Sequence, residues 1–517
     1  MATNKKPTSA DKQLLAFLKR RHPQYVALAA HWEFLYATYE GGRAWFDKHI
    51  HRYIKEGVSE FSDRLTRAYR FNHTREVVEL TIKYLFKMDA SRSEDVPQVL
   101  KDFWKRSTLQ GQTIREFSRA VATSSSIFGR CWVVVDTNKN PEARTLAHEI
   151  AQGARVYAYL VTPLNMLDMS YGDDGQLLWA LVHEVVRDDK DPMTATGNLQ
   201  SRFRLWTRDS SQLFRIEGEG TSQRVTVGSA VTHGLGIVPI VNADNVLSDE
   251  KWAATALIAD VAYLDRACAN YMSNLDAIIQ DQTFSQLAMP SQGVTQGAGD
   301  SDEQDAYAKL IEMGTKRIFL YDASQSGSAP HFLSPDVKQA QLILQVVNKI
   351  INEIYHSTGL AGERTKEDNA QGIDNSSGVA KAYDFERVNG LLAAKADSLE
   401  SFENRLARVV CLYSDKTLEE NPVSYPDSFD VRGLHDEFEL AARLALVEAP
   451  DGMRRLQMES VVDKLFPKLK GALREKLLSE LKSWPPEPVV DAPSTPSGGK
   501  AIKAAGTQKL SAKLASD

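Results

Sequence analysis

Cysteine is scarce in this chain: Cys131, Cys268 and Cys411 are the only three in 517 residues, and they stand far apart. An odd number at such spacings builds neither a disulfide framework nor a zinc pattern and fits a reducing cytoplasm. Long apolar runs are missing as well. A stretch such as Val133 to Val135, flanked by polar residues, falls far short of the roughly 18 residues a membrane span needs, so no membrane partner is expected. The N-terminal Met1-Ala-Thr-Asn-Lys-Lys-Pro7 has no apolar stretch of the secretory kind, and no signal peptide is expected either. Positive charge is not in excess. With 62 Lys and Arg against 68 Asp and Glu the net charge is −6, which disfavours tight gripping of nucleic acid along a basic face.

Catalytic signatures are equally sparse. No Gly-x-x-x-x-Gly-Lys-Ser/Thr occurs, and Gly499-Lys500-Ala501 lacks both the first glycine and the hydroxyl, so any nucleotide-driven motor is another chain. His49, His51 and His73 match no helical metal pair and read as ordinary surface or core histidines. Asp168, Asp173 and Asp174 could hold a divalent cation, yet acidic residues beside Asp-Gly are first of all turn formers. The cysteines have no evident basic partner, and Ser326-Gly327-Ser328 lacks the setting of a hydrolase elbow. The expectation is a non-enzyme with no cofactor, no metal and no catalytic residue.

What is present is an ordinary folded composition, 43% hydrophobic and 25% charged, long enough for two or more packed regions. Residues 11–88 read as helices, with Leu14, Leu15 and Leu18 on one face and a second run ending at Gly41-Gly42; another helical run lies around 95–128. From Cys131 to Ile240 the period shifts towards two, and Asp174-Gly175 marks a tight hairpin turn. Residues 1–250 therefore read as one α+β unit.

The next segment is the most informative. Leu257, Val261, Leu264, Cys268, Tyr271, Leu275 and Ile278 alternate spacings of four and three without a break. A helix over those 22 positions would run about 33 Å. Ala340, Ile343, Val347, Ile350 and Ile354 repeat the alternation after an intervening stretch of about 50 residues that offers one short strand, Arg317 to Tyr321. Then come the polar Gly359 to Asn369 and a long helix from Ser376-Ser377 to about Tyr413, with Val388, Leu392, Leu399, Phe402, Leu406 and Val409 on one face and Gly390 as a site for a kink. Residues 433–483 carry at least two more helices, and the Pro-, Ser- and Lys-rich tail from Pro485 reads as disordered.

This order resembles the portal proteins of tailed bacteriophages. The passages that carry the resemblance are Trp32 to Tyr39 with Gly41-Gly42, His233 to Ile240, Leu257 to Ile279, and Asn375 to Lys381 leading into Tyr383-Asp384-Phe385; they span about two-thirds of the chain. The resemblance implies an α+β, predominantly α-helical fold: wing 1–250, stem helices 251–282 and 334–358 around a clip at 283–333, tunnel loop 359–376, a long kinked wing helix and following segment 377–432, crown 433–484 and disordered tail 485–517. It implies a homo-oligomeric ring, a dodecamer, at one capsid vertex of the virion, assembled in the host bacterial cytoplasm. Double-stranded DNA would be packaged, retained and ejected through its channel. The terminase large subunit and later a head–tail connector or adaptor would dock on it, beside major capsid and scaffolding proteins. Gly362, Glu363, Arg364, Thr365, Lys366, Glu367, Asp368 and Asn369 would line the channel, where mixed charge keeps contact with a sliding polyanion weak. Leu257, Val261, Leu264, Tyr271, Leu275, Ile278, Ile343, Val347, Ile350 and Ile354 would pack the stem. Periodicity alone equally allows both seams to pack inside a monomeric helical domain. Another phage head or tail structural protein, or a cytoplasmic enzyme of unrecognised family, are the alternatives.

Overall fold

The computed structural model describes residues 9–138, 154–189, 191–218, 223–283, 286–290, 318–321, 331–333, 337–360, 378–427, 429, 452, 456, 458–459 and 476–480. The chain divides into two units, Met1–Asp430 and Val431–Asp517. In the second unit the described residues are helical; the remainder of the expected crown, and the tail, lie outside the described residues. So does the expected channel loop, Gly362 to Asn369.

The first unit opens with α1 (Ser9–Lys19), α2 (Pro23–Glu40), α3 (Arg43–His49), α4 (Val58–Arg67) and α5 (His73–Leu85). Pro23 takes the first turn of α2, where its missing N–H costs nothing, and Gly41 ends the helix at a φ of +67°. The run expected around 95–128 is two helices, α6 (Gln98–Lys105) and α7 (Ile114–Phe128). The break has a local cause. Ser107 N–H donates to Gln112 O at 2.7 Å across a turn through Gly111. Thr113 and Glu116 then start α7 with reciprocal cap hydrogen bonds. Gly129 ends it at a φ of +85°, where a Cβ would sit 1.8 Å from the Ala254 carbonyl oxygen.

Two antiparallel sheets follow. β2 (Arg130–Thr137) is the central strand between β3 (Val156–Val161) and β10 (Ile240–Asp244), and Cys131 to Val135 are buried on both faces. The second sheet is a meander of β4 (Met166–Tyr171), β5 (Leu177–Arg187), β6 (Leu199–Thr207), β7 (Ser210–Glu217) and β8 (Arg224–Val227), with β9 (Val231–Thr232) paired to β7. Its first turn runs through Gly175 at a φ of +72°, and Asp174 Oδ1 accepts from Gln176 N–H at 3.0 Å. Helix α1 covers one face of this sheet, setting Leu18 against Leu167, Leu181, Phe203, Phe214 and Val225. Asp168 pairs with Arg20 at 2.7 Å and Asp174 with Arg208 at 2.9 Å.

After the sheets come α8 (Val261–Thr283), a small sheet of β11 (Gln286–Pro290), β12 (Ile318–Tyr321) and β13 (His331–Leu333), then α9 (Val337–Ser357) and α10 (Gly378–Leu412). In the small sheet β11 is central, parallel to β12 and antiparallel to β13, where sequence periodicity predicts one strand. Strand β14 (Val423–Ser424) returns to pair with β1 (Ser91–Arg92). The main core joins α2, α5, α7, the β2 sheet, α8, α9 and α10 through side chains such as Leu35, Val78, Trp132, Ile354 and Phe402. Each such large buried side chain contributes about 1.5–3 kcal/mol. The unit is an α+β fold of helices and mainly antiparallel sheets, and among the described residues no helix is long and apolar enough to cross a membrane.

Candidate functional site

The α8–α9 pair is built from two faces of α8. Val261, Cys268 and Leu275 are buried, as are Val347, Ile351 and Ile354 of α9, and Cys268 Sγ lies 4.0 Å from the Val347 carbonyl oxygen. Asp265, early in α8, and Tyr355, near the end of α9, both reach the first turn of α5. Asp265 Oδ2 accepts from Thr74 N–H at 3.1 Å and from its hydroxyl at 2.7 Å, while the Tyr355 hydroxyl meets His73 Nδ1 at 3.0 Å. A carboxylate there also complements the positive end of α5. With the start of one helix and the end of the other held at the same place, the two form an antiparallel hairpin. Its closed end carries the small sheet. At the usual rise, α8 with 23 residues and α9 with 21 run about 34 Å and 31 Å.

The second face of α8 is gripped by the α3–α4 lobe. Arg64, 4% exposed, donates to both oxygens of Glu56 at 2.8 and 2.7 Å, to Ser273 Oγ at 2.8 Å and to His51 O at 3.1 Å. Asn270 accepts from His51 N–H and donates to His49 O, and Arg67 pairs with Asp276 at 3.1 Å. The Arg70 guanidinium lies 4.0 Å over the Trp45 ring and 3.6 Å from Asp265. Hydrogen bonds from Arg64 hold the Glu56 carboxyl below the usual range, and burial pulls the His49 imidazole down.

The residues singled out in the seam fall into four situations. Val261, Leu275, Val347 and Ile354 are buried; Leu264, Ile343 and Ile350 are half-buried against the main core, and Ile278 is half-buried. Leu257 precedes the helix, in a turn where its N–H donates to Ser126 O at 3.0 Å; earlier in the same segment Trp252 stacks on His22 at 4.0 Å. Tyr271 is exposed. A straight helix drifts about 20° per heptad from a 3.5-residue seam, and the lobe takes the neighbouring face instead. Towards the closed end, large apolar side chains stay uncovered: Leu342 is 61% exposed, Leu344 45%, Ile279 45% and, on β13, Phe332 68%.

Helix α10 is fastened by polar groups that periodicity did not single out. Glu403 accepts from Arg92 at 2.8 Å, Ser118 at 2.5 Å and Tyr425 at 2.6 Å. Arg130 and Asp244 form a buried pair beneath it, Ser398 Oγ donates to Asp244 O at 2.7 Å, and Arg405 donates to Asn242. Charge at such buried sites carries no helical period and is legible only once partners are placed.

No protein-family model matches the chain, and no curated protein matches it. Solved structures that are similar to it include two chains of gene transfer agent particles. A chain of the virion of a native gene transfer agent particle has a TM-score of 0.39 at 12% identity, covering 74% of this chain and 89% of that one. A chain of the neck of an empty gene transfer agent particle, computed with C6 symmetry, has a TM-score of 0.36 at 11% identity, covering 78% and 89%. Similarity at this level assigns neither fold nor function.

The described residues hold no group of three His, Cys, Asp or Glu side chains fit to bind a metal. Burial pushes the Cys131 thiol up to about 12 and Cys411 to about 11, so neither is a thiolate near neutrality.

Proposed function

We propose that this chain is the repeating subunit of a ring whose central channel passes double-stranded DNA, as in the portal proteins its sequence resembles. The observation that carries the reading is the hairpin: one end is set in the core, and the other presents Leu342, Leu344, Ile279 and Phe332 to solvent. A head-to-tail contact through such side chains makes a ring when the rotation from copy to copy closes, and an open filament when it does not. In this reading a dozen copies stand at one vertex of a virion, α8 and α9 form the channel wall, and the small sheet is the docking end for the terminase large subunit and later the head–tail adaptor. Gly362 to Asn369 meet the DNA with weak, mixed-charge contacts. The subunit is structural and non-enzymatic.

Imaging and sedimentation of purified protein test this. Wild type is expected as rings with a central hole, and Leu342→Asp with Leu344→Asp as monomers with unchanged far-UV circular dichroism. A wild-type protein that stays monomeric at micromolar concentration overturns the reading. Deletion of Glu363 to Asn369 should leave rings intact and impair genome filling or retention.

A further inference from the structure

Lysine is rarely buried without an acidic partner, because its ammonium gives up hydration that only a counter-charge replaces. Lys395, midway along α10, is 2% exposed. Its Nζ donates to Ser126 Oγ at 2.9 Å, at the end of α7, and to Asn245 Oδ1, just after β10. Both acceptors are held in place for it. The Ser126 hydroxyl proton is taken by Ala122 O at 2.6 Å, and the Asn245 amide donates to Thr255 O at 3.1 Å. Two acceptors match the two N–H groups of a neutral amine; the third N–H of an ammonium has no acceptor among the described residues. Charged groups on α10 itself and on the elements near it are committed elsewhere. Asp244 of β10 is bound by Arg130 of β2, Arg405 of α10 reaches Asn242, and Glu403 of α10 is taken by Arg92 of β1 and Ser118 of α7.

We propose that Lys395 is a proton-operated latch: the neutral amine locks the middle of α10 onto α7 and the segment after β10, and protonation releases that stretch so the ammonium can reach water. Burial alone lowers the amine from 10.5 to about 7. The sign follows from linkage. Between those two values the opened helix carries a proton that the closed one lacks, so falling pH favours opening; below the lower value both are protonated and the effect levels off. The inference concerns the fold of one chain and does not depend on the ring reading.

Hydrogen exchange of the full chain, corrected for intrinsic rates, tests it from about pH 8.5 down to about pH 6. Opening around residue 395 should rise about tenfold per unit down to about pH 7 and then level off. Lys395→Met should show no such dependence, with Lys395→Gln replacing it if the methionine variant does not fold. Asn245→Asp, which supplies a counter-charge, should flatten the response between about pH 7 and 8.5. A wild-type response that is flat across the range, or one that persists unchanged in the lysine variants, overturns the latch.

Discussion

Helix α10 and the α8–α9 hairpin both carry apolar positions at helical spacing, yet they end in opposite situations. Along α10 the apolar face from Leu392 to Val410 is covered by the chain's own core, and its polar positions are consumed by Glu403, Ser398 and Arg405 contacts. The hairpin is covered only over its inner half, where α5 and the α3–α4 lobe reach it; beyond that, Leu342, Leu344 and Ile279 face solvent. The difference separates surface that completes a subunit from surface the subunit leaves uncovered, which the ring reading assigns to a neighbouring copy. It also shifts where assembly should be probed. Leu264 lies against the main core, so an acidic residue there disturbs folding together with association, whereas Leu344 isolates the second.

Mutations can break this contrast, and the largest effect belongs to the completed side. Glu403→Ala should cost about 3–5 kcal/mol in urea unfolding, because it strands Arg92, Ser118 and the Tyr425 hydroxyl in a buried site. A loss under about 1 kcal/mol would remove that network as the anchor of α10. Gly129→Ala should cost about 2 kcal/mol or more, since both its positive φ and the Ala254 carbonyl forbid a Cβ. On the open side the expectation reverses. Leu344→Asp should change subunit stability by no more than about 0.5 kcal/mol while abolishing rings, and a large drop in melting temperature would mean that the outer hairpin is finished within the monomer.

The smallest effect sharpens the boundary between the halves, at the lobe that grips α8. The Glu56 carboxyl is held below its ordinary 4.5 by Arg64, so its contribution is present above that value and lost as pH falls through the depressed folded value. Wild type should therefore be more stable than Glu56→Gln near neutrality, and thermal melts of the two should converge in acid. A gap that persists in acid would point to geometry rather than charge.

Several elements are legible in the sequence because they rest on local chemistry. Asp174-Gly175 makes a turn wherever it occurs between strand-forming runs, and Pro23 and Gly41 start and stop a helix by what they lack. The seam of α9 was visible for the same reason, since burial along a helix repeats every turn. The start of α8 was not: Leu257 fits the heptad but is held in a turn by Ser126, a residue 131 positions earlier. The split of α6 from α7 and the strands flanking β12 depended on turn hydrogen bonds and pairing partners that periodicity does not carry.

By itself the sequence determined the helical and strand periods, the order of the elements and the lack of recognisable catalytic motifs, because each follows from residue type and spacing along one stretch of chain. Only the tertiary structure decided which face of α8 is gripped, that Glu403 and Lys395 are buried among distant partners, and where the hairpin stops being covered. Those outcomes depend on groups hundreds of positions apart meeting in space. Buried charge in particular leaves no trace in a periodic pattern: a lysine reads the same on a solvated face as in a core, and its surroundings alone set its chemistry.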